Sequence, residues 1–89
     1  MKLIGRDKLK RETEYVDRWL RGWCTEVAHA HWRRPEDVTE QFPSALPRPS
    51  GDFVFPIGTS GHWVRLQIAF VQGVALILEM NNIDIPHGR

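Results

Sequence analysis

The strongest constraint on this fold is a series of three strand-like segments separated by glycine-containing turns. The segments read DFVFPI, HWVRLQIAFV and VALILEM, with GTSG and QG between them. Connections this short join neighbouring antiparallel strands. Side chains alternate along a strand, so Val64, Leu66 and Ile68 share one side of the middle segment. Arg65 falls on the other side, and we therefore predict an antiparallel meander with Arg65 on the face opposite its apolar core.

A helical pattern precedes these strands and covers about residues 6–32. From Val16 onward its apolar residues follow at steps of 3, 1, 3, 4 and 3, which is the period of a helix with one buried face. The period is poor near Thr13, so a single helix and two helices with a break there are both compatible with the sequence. Trp19 and Trp23 lie on the apolar stripe and are predicted to pack in the core.

A short second helical segment begins at Pro35, because proline is tolerated in the first turn of a helix. Pro43 must end this helix near Gln41. Residues 43–51 hold three prolines and a Ser-Gly pair, which predicts an irregular connector. A strand candidate at Lys2–Ile4 could extend the edge of the sheet. The overall prediction is one α+β domain over residues 1–89, with N-terminal helices packed on a small antiparallel meander.

The composition places few limits on function. With 42% hydrophobic and 26% charged residues the chain is ordinary for a globular protein. Cys24 is the sole cysteine, which excludes an internal disulfide and fits a reducing cytoplasm. We recognise no signal peptide, and the longest apolar run, residues 74–78, is too short to cross a membrane. A cytoplasmic protein without a membrane partner is expected.

The charge distribution is uneven along the chain. Residues 1–34 hold nine Lys and Arg against five acids, whereas residues 35–89 hold three against six and contain no lysine. A basic helical segment could lie against nucleic acid, and a solvated helix surface is the alternative interpretation. His29 and His31 are two residues apart on a helix and cannot face one metal ion together, so no metal site is predicted.

Three blocks of the sequence, MKLIGRDKLKR, AHWRRPEDVTEQFPSA and VFPIGTSGHWVRL, resemble the HigB toxins of the RelE/ParE toxin superfamily. Family members begin with M-x-[VL]-I and a basic helix. They continue with W-x-x-P-x-D-[IV] and [YF]-P-S-A, and then with a strand pair carrying [YW]-R-L. The order of these elements is kept over roughly residues 1–80. The block from Trp32 to Ala45 is the most specific part of the resemblance.

The resemblance implies a RelE-like fold and a toxin of a type II toxin–antitoxin pair, which cuts mRNA on the ribosome without metal or other cofactor. The implied partners are a helix-turn-helix antitoxin of the HigA kind, the ribosome and mRNA. In such cleavage the 2′-hydroxyl attacks the neighbouring phosphate, and the enzyme supplies a base, a cation and an acid. Arg65 matches the family arginine, and its planar fork suits a phosphate.

Further site residues are predicted around Arg65. His62 in the hairpin turn and His87 near the end of the chain are the candidates for moving protons. Trp63 is a candidate for stacking on a nucleobase. Five basic residues are candidates for contacts with RNA: Lys8, Lys10, Arg11, Arg33 and Arg34. Each prediction has a structural alternative, which for Arg65 is an ion pair with Glu79 across the sheet.

A second interpretation keeps the toxin fold but not the chemistry. The family usually closes with T-H-x-[ED]-Y-D, where this chain reads NNIDIPHGR. Nucleic-acid sites usually need more positive charge than residues 35–89 carry. In this interpretation the protein is an inactive interaction module, such as an antitoxin decoy or an inhibitor encoded by a phage or mobile element.

Overall fold

The computed structural model of this chain describes residues 1–82 and contains a five-stranded sheet with helices on one face. The strands are β1 (Lys2–Ile4), β2 (Leu46–Pro47), β3 (Asp52–Pro56), β4 (Trp63–Ala69) and β5 (Val74–Asn81). Their order across the sheet is β1-β5-β4-β3-β2. Strand β1 runs parallel to β5, and the other neighbours are antiparallel. The predicted antiparallel meander is therefore present as β3, β4 and β5. It is part of a mixed sheet in an α+β fold.

Helix α1 spans Glu14–His29, so a continuous helix over residues 6–32 is wrong. Two α-helices with a break near Thr13 are not present either, because α1 begins directly after Thr13 and no α-helix precedes it. Thr13 is extended and its hydroxyl accepts a hydrogen bond from the Val16 N–H at 3.1 Å. Threonine at this position satisfies one of the unpaired N–H groups of the first turn, and it fixes where the helix begins. The residues before Thr13 form strand β1 and a single 3₁₀ turn at Arg6–Lys8.

Helix α2 spans Pro35–Gln41, as predicted from Pro35 at its start and Pro43 beyond its end. The Asp37 carboxylate accepts from the backbone N–H groups of Arg33 at 2.8 Å and Arg34 at 3.3 Å. The hydrogen bond from the Arg33 N–H is the main reason that the pKa of Asp37 is lowered. Asp37, in the first turn of α2, thus fixes the backbone that leads into this helix.

The connector after α2 is not wholly irregular. Leu46 pairs with Val54 and Pro47 with Phe53, which makes β2 a two-residue strand at the sheet edge. Proline is tolerated at an edge because no further strand needs its missing N–H. Two residues carry no readable alternation, so the prediction of a fully irregular connector was wrong at this point.

The core lies between the helices and one face of the sheet. Trp23 packs on Trp19 and Phe55, with ring centroids 6.1 and 5.3 Å apart, and Phe42 meets Phe55 at 5.4 Å. Cys24 is buried in the same layer, and burial raises the pKa of its thiol. The predicted apolar stripe of α1 is therefore the core face of the helix. None of the helices in residues 1–82 has the length and apolar character needed to cross a membrane.

Candidate active site

Arg65 lies on the face of the sheet opposite the helices, here called the open face. Its neighbours on β4, Val64 and Leu66, are both part of the core beneath the helices. Because side chains alternate along a strand, Arg65 projects to the other side. Its side chain is 29% exposed, so the guanidinium remains within reach of solvent.

Two carboxylates hold the Arg65 guanidinium. Glu79 lies directly across from it on β5, and its Oε2 is 3.0 Å from Arg65 Nη2. On β3, Val54 lies opposite Arg65, and Asp52 precedes Val54 by two residues. The Oδ2 atom of Asp52 is 3.6 Å from Arg65 Nε. Long side chains reach such diagonal neighbours. The predicted structural alternative, an ion pair between Arg65 and Glu79, is present.

Asp52 is the centre of a buried ionic network on this face. Its side chain is 2% exposed, and its Oδ2 lies 3.4 Å from Arg48 Nε. The Ser50 hydroxyl donates to Asp52 Oδ1, and the Arg48 backbone N–H donates to the Asp52 carbonyl at 2.9 Å. Arg48 and Arg65 balance the charges of Asp52 and Glu79. A buried carboxylate requires such partners, because an unpaired charge would be costly to remove from water.

A β-bulge lies beside this pair. Arg65 is opposite Glu79, whereas the next residue, Leu66, is opposite Ile77. Leu78 is therefore left without a partner on β4. Bulges turn the strand locally and re-aim side chains, and they are frequent next to active sites. Here the bulge sets the register in which Arg65 and Glu79 share the open face.

His62 is held by a residue far away in the sequence. Its Nε2 lies 2.7 Å from Glu12 Oε2, and its Nδ1 is buried without a hydrogen-bond partner among the described residues. The contact joins the segment before α1 to the turn between β3 and β4. Neither imidazole nitrogen is open to a substrate in this conformation, so a role of His62 in proton transfer would require Glu12 to move.

Trp63 is 1% exposed, and its ring therefore offers no open face to a nucleobase in this conformation. The predicted stacking role would need a rearrangement around β4, and it stays a prediction. His87, the other predicted proton carrier, lies outside the described residues. Within residues 1–82 no cluster of His, Cys, Asp or Glu is arranged to hold a metal ion.

The predicted RNA-contacting residues form two separate groups. Helix α1 has 16 residues and so spans about 24 Å. One group precedes its start and the other follows its end: Lys8, Lys10 and Arg11, and Arg33 and Arg34. All five side chains are exposed. The backbone N–H of Lys10 donates to Met80 Sδ at 3.1 Å, which places the first group at the Glu79 end of β5.

Some of this basic charge is already paired. Arg11 Nη1 lies 2.7 Å from Asp17 Oδ1, and this hydrogen bond is the main reason that the pKa of Asp17 is lowered. Arg34 Nε is 3.8 Å from Asp37 Oδ1. Both pairs are partly exposed to solvent, where ion pairs are weak and can exchange for a phosphate. The first group lies beside Met80, the residue that follows Glu79 on β5.

A groove on the helix side of the molecule is separate from the open face. It has a volume of about 470 Å³ and lies between α1, the segment after α2 and the end of β3. Trp19, Trp23, Phe42 and Phe55 supply its aromatic walls, and Gly22 lies at its rim. Of the predicted catalytic and RNA-contacting residues that lie within residues 1–82, none lines this groove.

The sequence did not identify the acidic members of the open-face network as site residues. The sequence predicts Glu79 only as a structural partner of Arg65, and Asp52 is not among the predicted site residues. The signal available for Glu79 was its position on a strand next to the Arg65 strand. Asp52 could have been noticed as a charged residue at the start of an otherwise apolar strand.

No protein-family model and no curated protein matches this chain. The geometry around Arg65 and the sequence blocks that resemble the HigB toxins are the features that indicate a function.

Proposed function

We propose that this protein is a RelE-like toxin of a type II toxin–antitoxin pair, which cuts mRNA on the ribosome without a metal. The observation that carries the proposal is the Arg65 guanidinium on the open face, partly exposed and 3.0 Å from the partly exposed Glu79 carboxylate. A cation and a proton acceptor on one accessible surface are two of the three groups that such cleavage needs. The resemblance of the sequence blocks supports the assignment to toxins.

Arg65 has the donors to bind a phosphate. The Glu79 carboxylate lies 3.0 Å from Nη2, and the Asp52 carboxylate lies 3.6 Å from Nε, which is too long for a hydrogen bond. No hydrogen bond from Nη1 to an acceptor within residues 1–82 is present. A phosphate oxygen could therefore approach Nη1 while the carboxylates hold the guanidinium in place. Because the cation is oriented beforehand, little reorganisation is needed as negative charge develops on the phosphate in the transition state.

The ribosome and the antitoxin complete this proposal. The group of Lys8, Lys10 and Arg11 lies at the same end of the sheet as Glu79. Exposed cations at that position would favour binding to the phosphates of ribosomal RNA. A HigA-like helix-turn-helix antitoxin would neutralise the toxin. No cofactor takes part in this chemistry, because the ribose itself supplies the nucleophile.

The inactive interaction module is the second candidate, and a specific observation favours it. Arg65 is paired with two carboxylates, and His62 is held by Glu12. If these contacts persist in the presence of RNA, the open face serves only to stabilise the sheet. The protein would then act through binding to an antitoxin or to another protein.

Induced expression in a bacterium tests the proposal directly. We expect growth arrest and new 5′ ends within ribosome-bound mRNA. Arg65→Ala should lower the cleavage rate by about 100-fold, the typical loss when a group that stabilises the transition state is removed. Arg65→Lys keeps a charge beside Asp52 and should preserve folding but lose the fork. Arg21→Ala, which removes an exposed arginine of α1, is the matched control.

The second candidate predicts a different result in the same experiment. Normal growth with intact polysomal mRNA would contradict the nuclease, provided that the induced protein is folded by circular dichroism. Tight binding of a HigA-like antitoxin under those conditions would support the module.

A further inference from the structure

Glu79 is the carboxylate best placed to take up a proton beside Arg65. It lies directly opposite Arg65 on β5, with its Oε2 3.0 Å from Arg65 Nη2. Its side chain is 38% exposed, whereas that of Asp52, the other carboxylate at Arg65, is 2% exposed. Asp52 is therefore shielded from a substrate, and Glu79 is accessible to one.

The other candidate base is less accessible. His62 has its Nε2 bound to Glu12 at 2.7 Å and its Nδ1 buried. A general base must lie within hydrogen-bond reach of the proton that it removes. Among the groups placed beside Arg65 in residues 1–82, Glu79 meets this requirement without a rearrangement of the chain.

The spacing of the pair suits the substrate. The attacking 2′-oxygen must come within about 3–3.5 Å of the phosphorus. A phosphate oxygen bound at Nη1 of Arg65 and a 2′-hydroxyl at Glu79 Oε1 or Oε2 would be neighbours, because the carboxylate and the guanidinium touch. The bulge at Leu78 sets the register that brings the two side chains together.

We infer that Glu79 is the general base of the proposed RNA cleavage, and this inference rests on the proposed function. The Glu79 carboxylate takes the proton of the 2′-hydroxyl as the 2′-oxygen forms a bond to phosphorus. The bond from phosphorus to the 5′-oxygen breaks, and that oxygen takes a proton from a separate acid or from water. The products are a 2′,3′-cyclic phosphate and a 5′-hydroxyl, and Arg65 neutralises the charge on phosphorus.

Glu79→Gln provides the test, because glutamine keeps the shape but cannot take up the proton. Single-turnover cleavage of mRNA in purified ribosome complexes is compared for the native protein, Glu79→Gln and the control Glu36→Gln, which changes an exposed residue of α2. We expect a rate loss of about 100-fold or more for Glu79→Gln. Its affinity for the ribosome complex and its unfolding by urea should remain close to those of the native protein.

A second substrate distinguishes a base from an acid. In an mRNA with sulfur in place of the bridging 5′-oxygen, the leaving thiolate needs no proton, but the 2′-hydroxyl still needs a base. The rate loss for Glu79→Gln should therefore persist on this substrate. Recovery of the native rate would identify Glu79 as the acid and overturn the inference.

The outcomes separate the two levels of the proposal. If the native protein cleaves mRNA and Glu79→Gln cleaves at the same rate, the inference is wrong and the proposed function stands. If the folded native protein leaves ribosome-bound mRNA intact, the proposed function is wrong and the inference falls with it.

Discussion

The two faces of the central sheet each bury one residue almost completely, and the two residues are accommodated by different means. Phe55 on the helix side and Asp52 on the open face are both 2% exposed. Burial of Phe55 removes apolar surface from water, which stabilises the fold by about 25 cal/mol per Å² of apolar surface buried. This stabilisation requires no particular partner. Asp52 is tolerated only while Arg48, Arg65 and Ser50 surround it. Polar burial of this kind depends on geometry, and it is where function is most often found.

The largest effect is expected on the helix side, from Phe55→Ala. The substitution removes a ring that contacts both Trp23 and Phe42 and leaves a cavity. We expect the free energy of unfolding to fall by about 3–5 kcal/mol, measured by urea denaturation followed by circular dichroism. Phe55→Leu should cost clearly less, because it fills much of the space. Equal losses for the two variants would show that the ring contacts of Phe55, and not the volume that it fills, set the cost.

On the open face, Asp52→Asn should lower the free energy of unfolding by about 3 kcal/mol, since it leaves two arginines without their shared carboxylate. Glu79→Gln breaks a pair that is more exposed, and it should cost at most about 1 kcal/mol. Urea denaturation of both variants gives the comparison. A cost of Glu79→Gln as large as that of Asp52→Asn would show that the whole network, and not only Asp52, is structural.

The sequence predicted the helix side of the molecule better than the open face. The apolar period from Val16 onward, the prolines that flank α2 and the alternation along β4 are local signals, and each led to the correct element. They depend on one stretch of chain at a time. An apolar stripe must face an apolar layer whatever the details of the packing, so the core could be expected without knowing the topology.

The candidate site depends on pairings that no local signal contains. Glu12 and His62 are separated by 50 positions, and β1 pairs with β5 in parallel across more than 70 residues. The bulge at Leu78 decides that Glu79, and not its neighbour, lies opposite Arg65. A shift of one residue would place the other face of β5 against Arg65. The candidate site therefore required the register of the strands as well as their existence.

A stabilising substitution is expected outside both faces, at Gly22 in the middle of α1. A Cβ added there meets no atom within 4 Å. Gly22→Ala should raise the free energy of unfolding by about 1 kcal/mol, because alanine favours the helix and restricts the unfolded chain. This corresponds to a rise of about 4–8 °C in Tm. Gly58→Ala is the contrasting variant, since Gly58 has φ 53° and the Tyr15 side chain occupies the space of its Cβ. That substitution should lower Tm.

The smallest effect concerns an exposed carboxylate, which provides a scale for the buried Asp52. Backbone N–H groups of Arg33 and Arg34 bind the Asp37 carboxylate and lower its pKa in the folded protein. The unfolded value is about 3.9, so the ionised form stabilises the fold above that pH. This contribution is lost as the pH falls through the lower folded value.

Urea denaturation at a series of pH values below about 5 should therefore show a weaker decline of stability for Asp37→Asn than for the native protein. Parallel declines would mean that this carboxylate does not cap α2 in solution. At neutral pH, removal of the Asp52 carboxylate should by contrast lower the free energy of unfolding by more than removal of the Asp37 carboxylate. The reason is that the arginine partners of Asp52 lose a carboxylate that water does not replace.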